Sequence, residues 1–485
     1  MWIAWWAIQI IYAVIVIAVS IRIIYDTQSS SKTLAYLLFV ILVPVLGIIF
    51  YLSIGINYRK RKMYSKKLIK DAELSAKLKN QVLEYAKSTY MNSKPLLKDY
   101  KKLINMITTD TSSSISDNNR VKLLLNGEKM FPEALESMSN AKHHIHIQFY
   151  IFENDIIGNQ IVDLLIEKAQ EGVEVRFIYD DFGSKAVRGK LHKKMEAGGV
   201  KVFPFSKIVF IYLANRMNYR NHRKIIIVDG KEAFVGGINV SDKYINHPEA
   251  HQMYWRDTHI QLNGHSVYFL QHTFLCDWNF CANDEVTPSD KYFPPPESFT
   301  LNDNKIVQIV ASGPDSPTPT ILYSLLQAIN LAKEEVLITT PYFIPGESMI
   351  EAIAVAALGG VKIKLLVPGK SDSKIVSIAS RFYFSELLRA GVEIYLYQKG
   401  FVHAKTMVVD DRVAIVGTAN MDYRSFDLNF EVNAIVYDEE TTAELKAAFY
   451  QDLQESEKII PEEWYNRSKR AKLLERTVRL GSPLL

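Results

Sequence analysis

Cysteine is almost missing from this chain. Among 485 residues only Cys276 and Cys281 carry thiols, which excludes a disulfide-stapled secreted scaffold. No further cysteine or ordered histidine spacing accompanies that pair, so it makes a poor zinc site and reads as two thiols in a reducing cytoplasm. Strong charge of one sign is missing too. The 57 Lys and Arg against 53 Asp and Glu leave a formal charge of +4, too mild to imply a nucleic-acid partner. The N-terminus also lacks the basic n-region and small-x-small cleavage site of a secretory signal. At 48% hydrophobic the composition is near the globular norm, so any membrane signal must be local. The length exceeds one ordinary core and calls for two or more compact units.

The local signal stands at the start. Residues 1–25 are apolar apart from Gln9, Ser20 and Arg22, and residues 33–56 repeat the pattern around Pro44 and Gly47. At about 1.5 Å per residue each run is long enough to cross a hydrocarbon core of about 30 Å. Joined by the short polar stretch 26–32, they predict a two-helix transmembrane hairpin over residues 1–57. Arg59, Lys60, Arg61 and Lys62 follow at once, then Lys66, Lys67 and Lys70, whereas the loop holds one Lys against one Asp. The positive-inside rule therefore places everything after Asn57 in the cytoplasm. The same cations would hold the following domain against an anionic leaflet, at about 1 kcal/mol each.

Residues 58–120 read as a basic juxtamembrane and helical connector, broken at Pro95 and ending in a polar loop. From Val121 onward strands and helices alternate, which implies a largely parallel sheet with helices on its faces. His143, His144 and His146 open one strand. His144 and His146 share a face, no carboxylate or Cys joins them on the strand, and a strand-edge cluster is a better reading than a metal site. The pattern then replays: 332–343 answers 141–152, 360–367 answers 172–179, and 390–395 answers 198–203. The halves fall at 121–282 and 305–465, with a linker at 283–304 and a basic amphipathic tail at 466–485. An insertion within 206–220 belongs to the first half alone.

Within this duplication one motif recurs. His222, Lys224 and Asp229 in the first half match His403, Lys405 and Asp410 in the second. Each His-x-Lys is followed by four residues, the Asp, a second apolar run and an Asn: Asn239 and Asn420. An apolar run ending at Asp-Gly or Asp-Asp reads as a strand entering a hairpin turn, so both aspartates fall where structural work is expected. His and Lys two apart would share one face of that strand. One such pair could arise by chance, but two copies with matching sequels could not.

These residues resemble the phospholipase D superfamily, whose HxKx4D signature occurs twice in most members. With the apolar N-terminus and the tail's Ser482-Pro-Leu-Leu485 ending, the chain is similar to bacterial cardiolipin synthases over nearly its whole length. The resemblance implies an α/β fold of two pseudo-symmetric α/β/α halves behind a transmembrane hairpin, sharing one active site. It also implies that an acid hydrogen-bonds the signature histidine of its own half: Asp257 for His222 and Glu431 for His403. Two facing half-sites would surround one phosphodiester with two ammoniums and two amides, and neither a cofactor nor a metal is called for. One imidazole would attack phosphorus while the other moves protons. The N-terminal copy serves more often as nucleophile in the superfamily, which assigns attack to His222. Phosphatidylglycerol as donor and acceptor, anionic membrane lipids as surroundings, no nucleic acid, and a multi-pass place in a bacterial membrane complete the expectation. Hydrolytic phospholipase D, a membrane-tethered nuclease and an inactive lipid-binding scaffold are the rival readings.

Overall fold

The computed structural model describes residues 2–27, 30–52, 96–111, 113–205, 219–247, 253–282, 284–295, 298–299 and 303–482. The basic cluster at 59–70, most of the connector, the insertion at 206–218 and the last three residues lie outside them.

The first apolar run is one helix, Trp2–Asp26, the one described helix long and apolar enough to cross a membrane. The second run is not one unbroken helix. It breaks at Val43 into Ser30–Leu42 and Pro44–Phe50, because Pro44 has no N–H to continue the ladder and its ring clashes with the preceding turn. The pieces pack through Ile23, Val40 and Tyr51, all fully buried. Gly47 permits the contact, since a Cβ there would meet the Phe39 carbonyl oxygen at 2.5 Å.

The remainder of the described chain is built on one sixteen-stranded sheet. Read outward from its middle, the first half contributes Ser116–Leu125, Thr258–Gly264, Glu232–Gly236, Ile225–Val228, His144–Phe149, Glu174–Tyr179 and Lys201–Pro204. The second contributes Lys305–Ser312, Asn429–Tyr437, Val413–Gly417, Thr406–Val409, Glu335–Thr339, Lys362–Pro368 and Glu393–Tyr397 in the same order. The halves join where Ser116–Leu125 runs antiparallel to Lys305–Ser312. The duplication therefore continues through one sheet, with an apolar core in each half.

Direction differs from the largely parallel expectation. Only the three outer strands of each half named above are parallel, because helical crossovers link them. The inner strands are antiparallel, since the signature strand returns at once through its hairpin. Nor are His144 and His146 at a sheet edge: their strand lies between Ile225–Val228 and Glu174–Tyr179. Both are buried, with Gln271 reaching His144 Nε2 at 3.3 Å and His146 Nδ1 at 2.8 Å. Residues 284–295 are more than a linker, for Tyr292 packs against both rings and its hydroxyl donates to Glu174 at 2.6 Å. The end of the connector likewise joins the second core through Leu103, Ile104 and Ile107.

Asp229 and Asp410 sit at the hairpin turns with φ of 53° and 47°, a region where a short polar side chain is tolerated. The Asp229 carboxylate accepts N–H groups of Lys142, His143 and His144 at 2.7–2.9 Å. That of Asp410 accepts those of Lys333, Glu334 and Glu335. Each thus ties the opening of the neighbouring strand to the turn. Asp410→Ala is expected to lower stability by about 1–3 kcal/mol in chemical denaturation, as charge-accepted hydrogen bonds are lost. A variant unfolding with the unaltered protein would remove this role.

Candidate active site

The signature histidines and lysines do not stand on the ladder. His222 and Lys224 occupy the loop between Arg220–Asn221 and Ile225–Val228, and His403 and Lys405 the loop between Gly400–Val402 and Thr406–Val409. In each loop the ammonium turns back on its own histidine: Lys224 Nζ donates to the His222 carbonyl at 2.8 Å, and Lys405 Nζ to that of His403. Both lysines and both histidines are buried. The Tyr150 ring meets His222 edge-on at 4.7 Å and lies 5.5 Å from Lys224 Nζ.

The acids are exchanged between the halves. His222 Nδ1 bonds Glu431 Oε2 at 3.0 Å, and His403 Nδ1 bonds Asp257 Oδ2 at 2.6 Å. This corrects the own-half pairing inferred from the resemblance, and the main chain explains it. Arg220–Asn221 pairs in parallel with Asn429–Phe430, and Gly400–Val402 with Tyr254–Arg256. The His222 amide donates to the Phe430 carbonyl at 2.9 Å and the His403 amide to that of Arg256 at 2.7 Å. Each histidine is thus delivered beside the acid of the opposite half. With Nδ1 occupied, each ring offers Nε2 for chemistry.

The surroundings of the acids differ. Thr418 Oγ1 and Asn429 Nδ2 donate to the Glu431 carboxylate at 2.5 and 3.1 Å. Asp257 instead occupies the space above Gly237, the counterpart of Thr418, where a Cβ would meet Asp257 Oδ1 at 2.1 Å. Asn239 donates to the Tyr244 hydroxyl at 2.8 Å, which lies 3.4 Å from His403 Nδ1; Asn420 donates to Asp422 at 3.1 Å. Tyr150, Tyr244, Thr418 and Asn429 escaped the sequence reading. Only Thr418 left a usable signal there, as the hydroxyl in one repeat where the other has glycine. Asp229 and Asp410 lie at the far ends of the signature strands, away from the imidazoles.

Comparison with known proteins finds both halves again. A family model described as "Cardiolipin synthase, PLD-like domain" matches residues 134–261 and 325–453, one copy in each half. The chain is 38% identical to cardiolipin synthase 1 of Bacillus anthracis over 484 residues, covering 99% of this chain and 94% of the relative. It is 40% identical to the major cardiolipin synthase ClsA of Bacillus subtilis, covering 95% of each.

The chain belongs to the cardiolipin synthase family.

A second model, "Phospholipase_D-nuclease N-terminal", matches residues 14–55, which with the apolar helix Trp2–Asp26 associates this family member with a membrane. The fold is shared with a crystal structure of phosphatidylserine synthase from Haemophilus influenzae, at TM-score 0.59 and 15% identity, covering 81% of this chain and 100% of the other.

Electrostatically, the centre of this family member is governed by burial. Desolvation pushes His222 down to about 4, with Glu431 opposing and Lys224 assisting. It also pushes His403 well below its usual range, assisted by Lys405 and Lys224. Both rings are therefore neutral at pH 7. Burial lowers Lys224 to about 7 and Lys405 to about 8 despite the nearby carboxylates, and raises Asp257 to about 6 against the pull of Lys405. Glu431 is pushed up by burial, but His222, Lys224 and Thr418 outweigh this and hold it below the usual carboxylate range. A site of two ammoniums, two carboxylates and two neutral imidazoles gains most from binding a group that is itself anionic. Because the free lysines lose their protons as pH rises, kcat/KM should fall along an alkaline limb set by groups near 7 and 8. The kcat limb should lie higher, since bound phosphodiester raises both lysines. A kcat/KM flat to pH 9 in mixed micelles would contradict this electrostatic assignment.

Proposed function

We propose that this protein makes cardiolipin by transferring the phosphatidyl group of one phosphatidylglycerol to a hydroxyl of a second, releasing glycerol. The observation that carries this reading is the crossed pair of dyads, which gives one site two oriented imidazoles and two buried ammoniums. The ammoniums of Lys224 and Lys405 neutralise the phosphoryl oxygens. His222 Nε2 attacks phosphorus and the bond to the glycerol oxygen breaks, while His403, protonated from solvent as the anionic substrate binds, gives that oxygen its proton. The second phosphatidylglycerol then yields its hydroxyl proton to His403. Its oxygen attacks phosphorus, and breakage of the P–N bond restores His222. The difference between the dyads supports this division. His403–Asp257, with the raised carboxyl, is the pair suited to take up a proton once the anionic substrate arrives.

A lipid substrate fits the two apolar segments of the N-terminus and the tail helix Lys469–Arg479. That helix is inside-out. Its Glu475 is buried and paired with Arg467 at 2.6 Å, whereas Leu473, Leu474 and Leu480 are 66%, 51% and 75% exposed. Arg470 and Arg476 are exposed beside these leucines, a combination suited to an anionic lipid surface. On this reading the two apolar segments form a multi-pass anchor, and the excess of Lys and Arg after residue 57 favours a cytoplasmic catalytic body.

The test is mass spectrometry of protein and lipid after incubation with phosphatidylglycerol, under a quench that preserves phosphohistidine. His403→Ala should accumulate an adduct on His222, and His222→Ala should form none. Because the dyads cross, Glu431→Gln should behave like loss of His222, with slowed formation, and Asp257→Asn like loss of His403, with slowed release. Phosphatidic acid as the main product would favour the hydrolytic reading, and an adduct on His403 would reverse the assignment. For the tail, Leu473→Ser with Leu480→Ser should lower activity on phosphatidylglycerol vesicles far more than on detergent-dissolved lipid. Equal loss in both would place the leucines in folding rather than at the interface.

A further inference from the structure

Beneath each dyad lies a buried guanidinium–carboxylate pair outside the signature. Arg223 donates through Nε to the main-chain carbonyl of Glu431 at 3.2 Å and through a terminal nitrogen to Asp277 at 2.6 Å. Arg256 donates through a terminal nitrogen to the main-chain carbonyl of Asp257 at 2.6 Å, to Thr258 Oγ1 at 2.9 Å, and through Nε to Asp452 at 2.9 Å. All four charged residues are buried. In both dyads, then, a guanidinium anchored by a buried aspartate grips the backbone of the very residue whose carboxylate orients the histidine.

Duplication does not account for the likeness, because the arginines come from different positions. Arg223 follows His222, and its counterpart after His403 is Ala404. Arg256 precedes Asp257, and its counterpart before Glu431 is Phe430, over whose ring the Arg223 guanidinium lies at 5.4 Å. The aspartates occupy corresponding helices, Val267–Cys281 and Glu439–Gln454. The same contact has thus been reached by two routes.

Stability gives little reason for it. A buried ion pair is often no better than well-packed apolar side chains. What the pairs do supply is a fixed place for each acid across the boundary between halves. Arg223 links Asp277 of the first half to Glu431 of the second, and Arg256 links Asp257 of the first to Asp452 of the second. The Arg223 pair also braces the nucleophile from behind: Asp277 accepts from Gln148 at 2.8 Å and from Asn221, the residue before His222, at 3.0 Å.

We propose that Arg223 with Asp277 and Arg256 with Asp452 are positioning pairs for the two dyads, setting each carboxylate-to-imidazole distance through the acid's own main chain. Neither arginine touches the phosphoryl group in this role. The inference rests on the dyad roles above, and its test separates the two.

In full-length protein in phosphatidylglycerol mixed micelles, Arg223→Lys and Arg256→Lys should keep KM within about threefold. Their kcat per folded molecule should fall about 10- to 100-fold, as expected when reacting groups are displaced by a fraction of an ångström to about 1 Å. Rapid-quench measurement should show adduct formation slowed in the Arg223 variant and adduct breakdown slowed in the Arg256 variant. The isosteric Asp277→Asn and Asp452→Asn should reproduce the respective defects more weakly, and they carry the test if a lysine variant does not fold. Variants that yield less folded protein with unaltered kcat per folded molecule would make the pairs structural only and overturn the proposal. So would the same kinetic phase being slowed by both pairs. An unaltered enzyme making no cardiolipin would defeat the assigned activity instead.

Discussion

The constraint on which the site depends is the exchange of acids between halves. A buried imidazole needs a partner at Nδ1 to fix its tautomer, and a buried carboxylate needs donors to offset its desolvation. Here each half supplies the histidine for one dyad and the acid for the other. Neither half could form a competent dyad alone. The two parallel strand pairs that cross the boundary, with the His222 and His403 amides bonded to Phe430 and Arg256, are the backbone expression of that dependence. The continuous sheet supplies the rigid frame that keeps them aligned.

On this frame the symmetry is incomplete in a chemically useful way. The longer acid, Glu431, has the Thr418 hydroxyl and the Asn429 amide, whereas the shorter Asp257 fills the space left by Gly237 and has fewer side-chain donors. Equal half-sites would hold equal proton affinities. Unequal ones give the two dyads different proton affinities. The proposed transfer uses both roles in one turnover, and it assigns them to the two unlike dyads.

The lysines illustrate how location sets chemistry. Folded back onto histidine carbonyls and shut off from water, they are held far below the ordinary ammonium range by burial. Their full charge is therefore most stable when an anion is bound. The same burial that strips charge from the empty site therefore favours an anionic ligand over a neutral one.

By itself the sequence determined the duplication, the paired His-x-Lys motifs, the turn-bound aspartates, the apolar N-terminus and the choice of Asp257 and Glu431 as candidate acids. These are legible because they rest on local regularities: spacing, alternation, turn chemistry and repetition. Tertiary structure decided what depends on contacts between distant segments. It paired each acid with the histidine of the other half, buried His144 and His146 in mid-sheet, and turned the inner strands antiparallel. It also recruited Arg223 and Arg256 from unmatched positions, and broke the second apolar run at Pro44. A strand pairing across the boundary exchanges acids without changing a residue of either motif, so repetition alone suggests the own-half arrangement. Only the packed backbone, in which each amide must find a carbonyl once water is excluded, makes the crossed arrangement the one that forms.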